Sequence, residues 1–211
     1  WSEVWKITVD NTSPYVQITS PVTTNLSGIV EVKGTVTDAN PHHYWLVIED
    51  EKGKQVAGPG TILEYHSFTN KLFFNWDTTK VNDGKYTIKL EAKDAANNKD
   101  NTSIQWLTIT VDNHGPILGV DTISLLHSGE FDITGSANDD FSGIKNLTLT
   151  FNDSPTCSAI YGSGLWSLTI NNGLCNLDNG TYNVVVSATD NNSNTTKATI
   201  NNLVIDNALP T

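Results

Sequence analysis

The chain of 211 residues has no methionine, only two cysteines and few basic residues: 12 Lys and Arg stand against 23 Asp and Glu, a net charge of −11. An acidic surface repels phosphate backbones, which excludes nucleic acid as a natural partner. Apolar residues make up 37% and their runs are only strand-length, so no segment is long enough to insert into a membrane as a helix. A sustained helical period is missing throughout, which excludes helical bundles and α/β architectures. Also missing are a Gly-x-Ser-x-Gly elbow, a His-Glu-x-x-His pair and a glycine-rich phosphate loop. With no catalytic constellation to replace them, the chain reads as a non-enzyme with no required cofactor.

What is present is alternation and repetition. One phrase occurs three times: Ile7-Thr8-Val9-Asp10-Asn11-Thr12-Ser13-Pro14, Ile109-Thr110-Val111-Asp112-Asn113-His114-Gly115-Pro116 and Leu203-Val204-Ile205-Asp206-Asn207-Ala208-Leu209-Pro210. Each is an alternating strand, then Asp-Asn, two residues and Pro. The copies lie roughly 100 residues apart, about one small domain. Between them run seven or eight strand-like segments per unit: Tyr15 to Thr19, Ile29 to Thr37, His43 to Glu49, a short strand ending at Val56 and broken by Pro59-Gly60, then Thr61 to His66, Lys71 to Trp76, Lys85 to Lys93 and Ser103 to Val111. Unit two follows the same plan. Ser27-Gly28, Gly34 and Asp38 are matched by Ser128-Gly129, Gly135 and Asp139, and Asp83-Gly84-Lys85-Tyr86 by Asn179-Gly180-Thr181-Tyr182. The expected fold is all-β: two tandem Greek-key β-sandwiches of about seven strands each. The expected divisions are 1–10 (last strand of a preceding repeat plus linker), 11–112, 113–207, and 208–211 (start of the next linker). The chain then reads as a piece of a longer array.

Tyr86 and Tyr182 each follow a turn at the start of a strand, as Gly-x-Tyr. That pattern fits a tyrosine corner, in which the phenol bonds back to the preceding backbone. Cys157 and Cys175, 18 residues apart, suit a local disulfide closing a loop, worth about 3 kcal/mol in the chain-entropy account. A disulfide also implies an oxidising, extracellular compartment. A metal or redox pair would ordinarily use closer spacing or a histidine partner.

The segments Phe74-Asn75-Trp76-Asp77-Thr78-Thr79, Asp83-Gly84-Lys85-Tyr86-Thr87-Ile88 and Ala92-Lys93-Asp94-Ala95-Ala96-Asn97-Asn98 resemble those of tandem bacterial immunoglobulin-like domains in large cell-surface, adhesin-type proteins. The resemblance covers nearly all of unit one. Unit two shares the loop Asp139-Asp140-Phe141-Ser142-Gly143-Ile144 but adds its own cysteine pair. It implies an extracellular or cell-surface setting and a spacer or stalk role beside neighbouring repeats. The alternatives are an adhesion module for a glycan or protein on another cell, and a component of a surface lattice. In this topology the loops at the start of a unit lie beside the incoming linker, where some such arrays bind calcium. Asp112, Asn113, Asp139, Asp140 and Asp190 are the candidate calcium ligands for unit two. Asp10, Asp38 and Asp94, with Asn11, are those for unit one. Calcium takes six to eight oxygens, which clustered Asp and Asn can supply. The same residues also make good turns through bonds to local backbone, and Asp94-x-x-x-Asn98 and Asp190-x-x-x-Asn194 fit that role.

Adjacent residues on a strand point to opposite faces, so His42 and His43 are expected not to meet one ion. Trp45, Trp76, Trp106 and Trp166 lie within strands and are expected in the core. Glu49-Asp50-Glu51 leads into a Lys-Gly turn and reads as a solvated hairpin tip.

Overall fold

The structure is a computed structural model that describes residues 9–208 and divides the chain into two compact units, 1–113 and 114–211. The expected terminal strand within residues 1–8 lies outside the described residues.

In unit one, β1 (Tyr15–Ser20), β3 (Ile29–Thr37) and β6 (Phe68–Asp77) form one sheet in the order β1-β3-β6. The second sheet runs β2-β8-β7-β4-β5, from β2 (Asn25–Leu26), β4 (Pro41–Asp50), β5 (Gln55–Leu63), β7 (Gly84–Asp94) and β8 (Ile104–Val111). The alternation of each strand decides which side chains are buried. On β7, Tyr86, Ile88, Leu90 and Ala92 face inward, while Lys85, Lys89 and Lys93 take the opposite phase. They meet Val16, Ile18, Val32, Val36 and Trp76 from the other sheet. Tyr86 packs edge to face on Trp76, with ring centroids 5.6 Å apart.

Pro59-Gly60 does not end a strand. β5 runs through it as one edge strand, irregularly paired to β4. Gly58, at φ +99, makes this work: a Cβ there would lie 2.6 Å from the Leu46 carbonyl oxygen.

Unit two repeats the plan. β9 (Ile117–Val120), β11 (Phe131–Asn138), β14 (Ile160–Gly162) and β15 (Leu165–Ile170) make a sheet in the order β14-β15-β11-β9. β10 (Leu126–His127), β12 (Ile144–Phe151), β13 (Thr156–Ser158), β16 (Gly180–Asp190) and β17 (Thr195–Ile205) make the other, in the order β10-β17-β16-β12-β13. Leu147, Leu149, Phe151, Val184, Val186 and Leu203 pack against Ile133, Trp166 and Ile170. The chain changes sheets between β13 and β14. There the Cys157–Cys175 disulfide (Cα–Cα 5.9 Å) ties the β13 edge to the loop after β15, and so joins the two sheets. Gly135 and Gly34, matched between the repeats, share one cause. A Cβ on Gly135 would lie 2.2 Å from Gly119 O and 2.6 Å from the Trp166 ring, and on Gly34 it would lie 2.6 Å from Phe73 and 2.8 Å from Gln17 O. In both units the neighbouring strand and an aromatic ring cross over the glycine.

The N-terminal and C-terminal parts of each unit meet in a short parallel pair. Asn25 and Leu26 of β2 sit beside Thr110 and Val111 of β8; Leu126 and His127 of β10 sit beside Val204 and Ile205 of β17.

Candidate functional site

The linker aspartate, the loop after β3 and the loop after β7 converge at one end of unit one. Carboxylate oxygens of Asp10, Asp38 and Asp94 lie within 4.8 Å of one another. Asp94 is buried, and the other two are partly exposed. Asn98 organises the group: its backbone N–H donates to Asp94 Oδ1 and its Nδ2 to Asp94 Oδ2, both at 2.7 Å, while Nδ2 also donates to Asp10 O at 2.8 Å. Asn40 Nδ2 donates to Asp10 Oδ2 (2.7 Å), and Asn40 N–H to Asp38 Oδ1 (2.7 Å). The Asn40 and Thr12 hydrogen bonds hold the Asp10 carboxyl below the usual carboxylate range. The set offers three hard anionic donors on short loops. That suits calcium in charge and in ligand type, and further oxygens can come from backbone and water. Asn11, which follows Asp10 in the linker, is exposed.

In unit two, Asp190 is buried and bonds Asn194 as Asp94 bonds Asn98, at 2.8 Å to both the backbone N–H and Nδ2. Asp139 Oδ1 accepts from the N–H groups of Ser142 (2.8 Å) and Gly143 (2.6 Å), closing its own turn. Asp140 accepts from Asn138 Nδ2 at 2.6 Å. Asp112 belongs to unit one, where its N–H donates to Leu26 O.

Asn113 has a different task from its neighbour. Its Oδ1 accepts from Gly28 N–H (2.8 Å) and Thr78 Oγ1 (3.1 Å), its Nδ2 donates to Thr78 O (3.1 Å), and its N–H donates to Asp83 Oδ1 (2.9 Å). One side chain thus fastens the end of β8 to the turn after β2 and to the short turn after β6. Asn207 repeats two of these contacts, with Gly129 N–H (2.7 Å) and Asn179 Oδ1 (2.8 Å). The sequence carries the signal: Ser-Gly and Asp/Asn-Gly-x-Tyr recur in step with the Asp-Asn phrase. Both tyrosine corners are present. Tyr86 OH donates to Asn82 O at 2.6 Å and Tyr182 OH to Asp178 O at 3.0 Å.

Residues 70–161 match the bacterial Ig-like domain (group 3) family. No curated protein matches the chain. Among solved structures, fibronectin(III)-like modules of Clostridium thermocellum CbhA are 13% identical, with 90% of this chain and 94% of that chain covered and a TM-score of 0.41. A 1.5-MDa bacterial ice-binding adhesin is 18% identical, covering 92% and 65%, with a TM-score of 0.40. A Ca2+-stabilized adhesin of an Antarctic bacterium is 19% identical, covering 93% and 49%, with a TM-score of 0.37. These scores are low, and the likenesses carry no functional weight. The architecture is that of immunoglobulin-like β-sandwiches, all-β as expected, and the disulfide is in place. No helix among the described residues is long and apolar enough to cross a membrane.

Two expectations need correction. Trp76 and Trp166 are core residues, but Trp106 is 60% exposed and Trp45 only half-buried. Trp106 has the same parity on β8 as Thr108 and Thr110, the outer phase. Lys89 Nζ lies over its ring at 4.9 Å and also pairs with Glu49 at 2.6 Å. His42 and His43 do not diverge either. The pairing of β4 with β7 slips between Pro41 and His43, so His42 occupies a bulge and the two Nδ1 atoms are 2.9 Å apart. At the hairpin tip, Asp50 Oδ1 accepts from the N–H groups of Lys52 and Lys54, both at 2.9 Å.

Proposed function

We propose that the chain is a non-catalytic spacer segment of a longer bacterial cell-surface or secreted protein, built to carry tension along its backbone. The supporting observation is the parallel pair at the end of each unit. Tension on a unit draws β2 one way and β8 the other, along their own axes. Their hydrogen bonds, Asp112 N–H to Leu26 O (2.9 Å) among them, are then sheared together rather than opened one by one. The Asn113 side chain adds its bond to Gly28 N–H at the end of this pair, and Asn207 adds the bond to Gly129 in unit two. The candidate polar residues are largely engaged in such closures, which favours a spacer over a glycan-binding face; Trp106, 60% exposed with Lys89 over its ring, is the exception that the test addresses. The test is binding of the intact chain to a panel of glycans and to bacterial and animal cells. Background-level binding is expected. Saturable binding that Trp106→Ala abolishes would replace the spacer with an adhesion module.

Calcium at Asp10, Asp38 and Asp94 belongs to the same proposal, as a cation that would hold the linker to the loops of unit one. The crowding of three carboxylates within 4.8 Å supports it. Thermal melts with calcium and with chelator test it. A melting temperature for unit one that rises with calcium in the native chain, and no longer does in Asp38→Asn, is expected. Equal melts in both conditions would leave these aspartates as turn residues alone.

A further inference from the structure

Two outer sheet faces, one in each unit, depart from the rest of this acidic surface, and they depart in opposite directions. Side chains directly opposite one another on neighbouring strands share a face. In unit two, Thr134, Ser167 and Ile160 form one such row across β11, β15 and β14, and Ser136, Leu165 and Gly162 form the next. Trp166, between Leu165 and Ser167 on β15, points into the core, so both rows look outward. Ile160 is 80% exposed, Leu165 65%, and Leu174, across a shallow hollow from Ile160, 91%. Carboxylates are held beside these apolar side chains: Thr134 Oγ1 donates to Asp121 Oδ2 at 2.7 Å, and Thr169 Oγ1 donates to Asp132 Oδ1 at 2.5 Å. Neither lysine of the unit lies on this sheet. Unit two has nine Asp and Glu against two lysines, and Lys145 and Lys197 belong to β12 and β17 of the other sheet.

The outer face of β4, β7 and β8 in unit one carries the reverse. Val47, Lys89 and Trp106 form one row, and Trp45, Glu91 and Ile104 the next. Lys85 and Lys93 continue the same phase of β7 towards its two ends. Lys89 pairs with Glu49 and Lys99 with Glu91, so Lys85 and Lys93 are in excess around the exposed Trp106. In a chain of net charge −11, a face with more lysine than carboxylate is the exception. We propose that copies of this chain associate side by side, with the Lys-Trp face of unit one in one copy seated on the Asp-Ile-Leu face of unit two in the next. Charge decides the occupant. The surplus lysines answer the unoffset Asp121 and Asp132, and the tryptophans cover Ile160 and Leu165. Two unit-two faces set against each other would bring like charges together with no cation between them. The contact joins two different patches, so each copy keeps one patch of each kind free, and association does not stop at two unless a ring closes. Faces about 20 Å on a side, the width of four strands, offer about 400 Å² per partner. That is the low end for a specific interface, so the contact between two chains is weak. It does not depend on the units carrying load.

The test is analytical ultracentrifugation of the untagged chain from about 10 μM to about 1 mM. The average mass of the native chain is expected to rise across this range. Lys85→Glu with Lys93→Glu spoils the first face, and Ile160→Asp with Leu165→Asp spoils the second. Each pair should lower the association constant by about tenfold or more. An equimolar mixture of the two variants should recover association, because each supplies the face the other lacks, and should stop at two chains. A constant native mass up to about 1 mM overturns the proposal, as do variants that associate like the native chain, or a mixture that associates no more than its parts. So does capture of a lysine-rich peptide by a chain that stays monomeric, since the unit-two face would then serve another cationic partner. Should a substitution unfold its unit, the native chain alone decides by NMR. Amide shifts of Lys89 and Trp106 must move with concentration together with those of Ile160 and Leu165. Movement confined to unit two marks a like-on-like contact and refutes the pairing.

Discussion

Replacing Asn113 with alanine isolates the closure of unit one, because the backbone bond to Asp83 survives and only the side-chain contacts go. Two of these are well formed, Gly28 N–H onto Oδ1 at 2.8 Å and Nδ2 onto Thr78 O at 3.1 Å; the Thr78 hydroxyl, 3.1 Å from Oδ1, shares its one hydrogen with Gly28 O at 2.8 Å. A hydrogen bond contributes about 1 kcal/mol net, and these are partly buried, so that water replaces some of what is lost. The expected cost is about 2 kcal/mol, or roughly 8–16 °C in the melting temperature of a domain this size. Asn207→Ala is the internal comparison. Its side chain accepts one bond, from Gly129 N–H in an exposed setting, and its loss should cost about 0.5 kcal/mol. Urea unfolding of the intact chain measures both, and amide hydrogen exchange assigns each transition to its unit. Asn113→Ala and Asn207→Ala costs that agree within about 0.5 kcal/mol would refute the reasoning, since the extra bonds around Asn113 would then contribute nothing.

The remaining predictions concern the sheets and their charges. Reduction of Cys157–Cys175 should destabilise unit two by about 3 kcal/mol and leave the unit-one transition unchanged, as read in the same urea titration with and without reductant. Gly135→Ala should cost unit two about 3 kcal/mol or more, because its Cβ meets backbone and a buried indole that cannot give way; retained stability would show that β9 or Trp166 moves freely. Stability should be flat above the ordinary histidine value of 6.5 and decline slightly as pH falls below it. His43 has a lowered pKa in the folded chain, so the unfolded chain takes up its proton first; His43→Gln should remove this step. A larger decline should follow below about pH 4, as protonation breaks the bonds that lower Asp10, Asp77 and Asp100, chiefly those from Asn40, Thr79 and Thr102.

Strand alternation is legible wherever pairing is regular. Ile29 to Thr37 is a strand with those same ends, β7 is longer than expected by a residue at each end, and β8 begins one residue late and ends at Val111 as expected. Legibility fails where pairing slips, because an inserted residue inverts the parity of everything beside it. Gly58 hides the continuity of β5 in this way, and the bulge at Pro41 to His43 hides the histidine pair. The Asp-Asn phrase was readable as important but not as to its purpose. Asn113 has the same chemistry whether its oxygen meets a cation or Gly28 N–H, and only the position of the β2 turn decides between them. Trp106 is misread when the general preference of tryptophan for the core is put before its parity with Thr108 and Thr110, which places it outward.

Single-molecule pulling of the intact chain from its two ends tests the spacer account most directly. Two discrete unfolding events are expected, one for each sheared pair. Asn113→Ala should lower the force of one event and leave the other unchanged, and reduction should lengthen only the unit-two step. Gradual extension without discrete events, or an Asn113→Ala trace identical to that of the native chain, would contradict the claim that the paired ends of each unit carry the load.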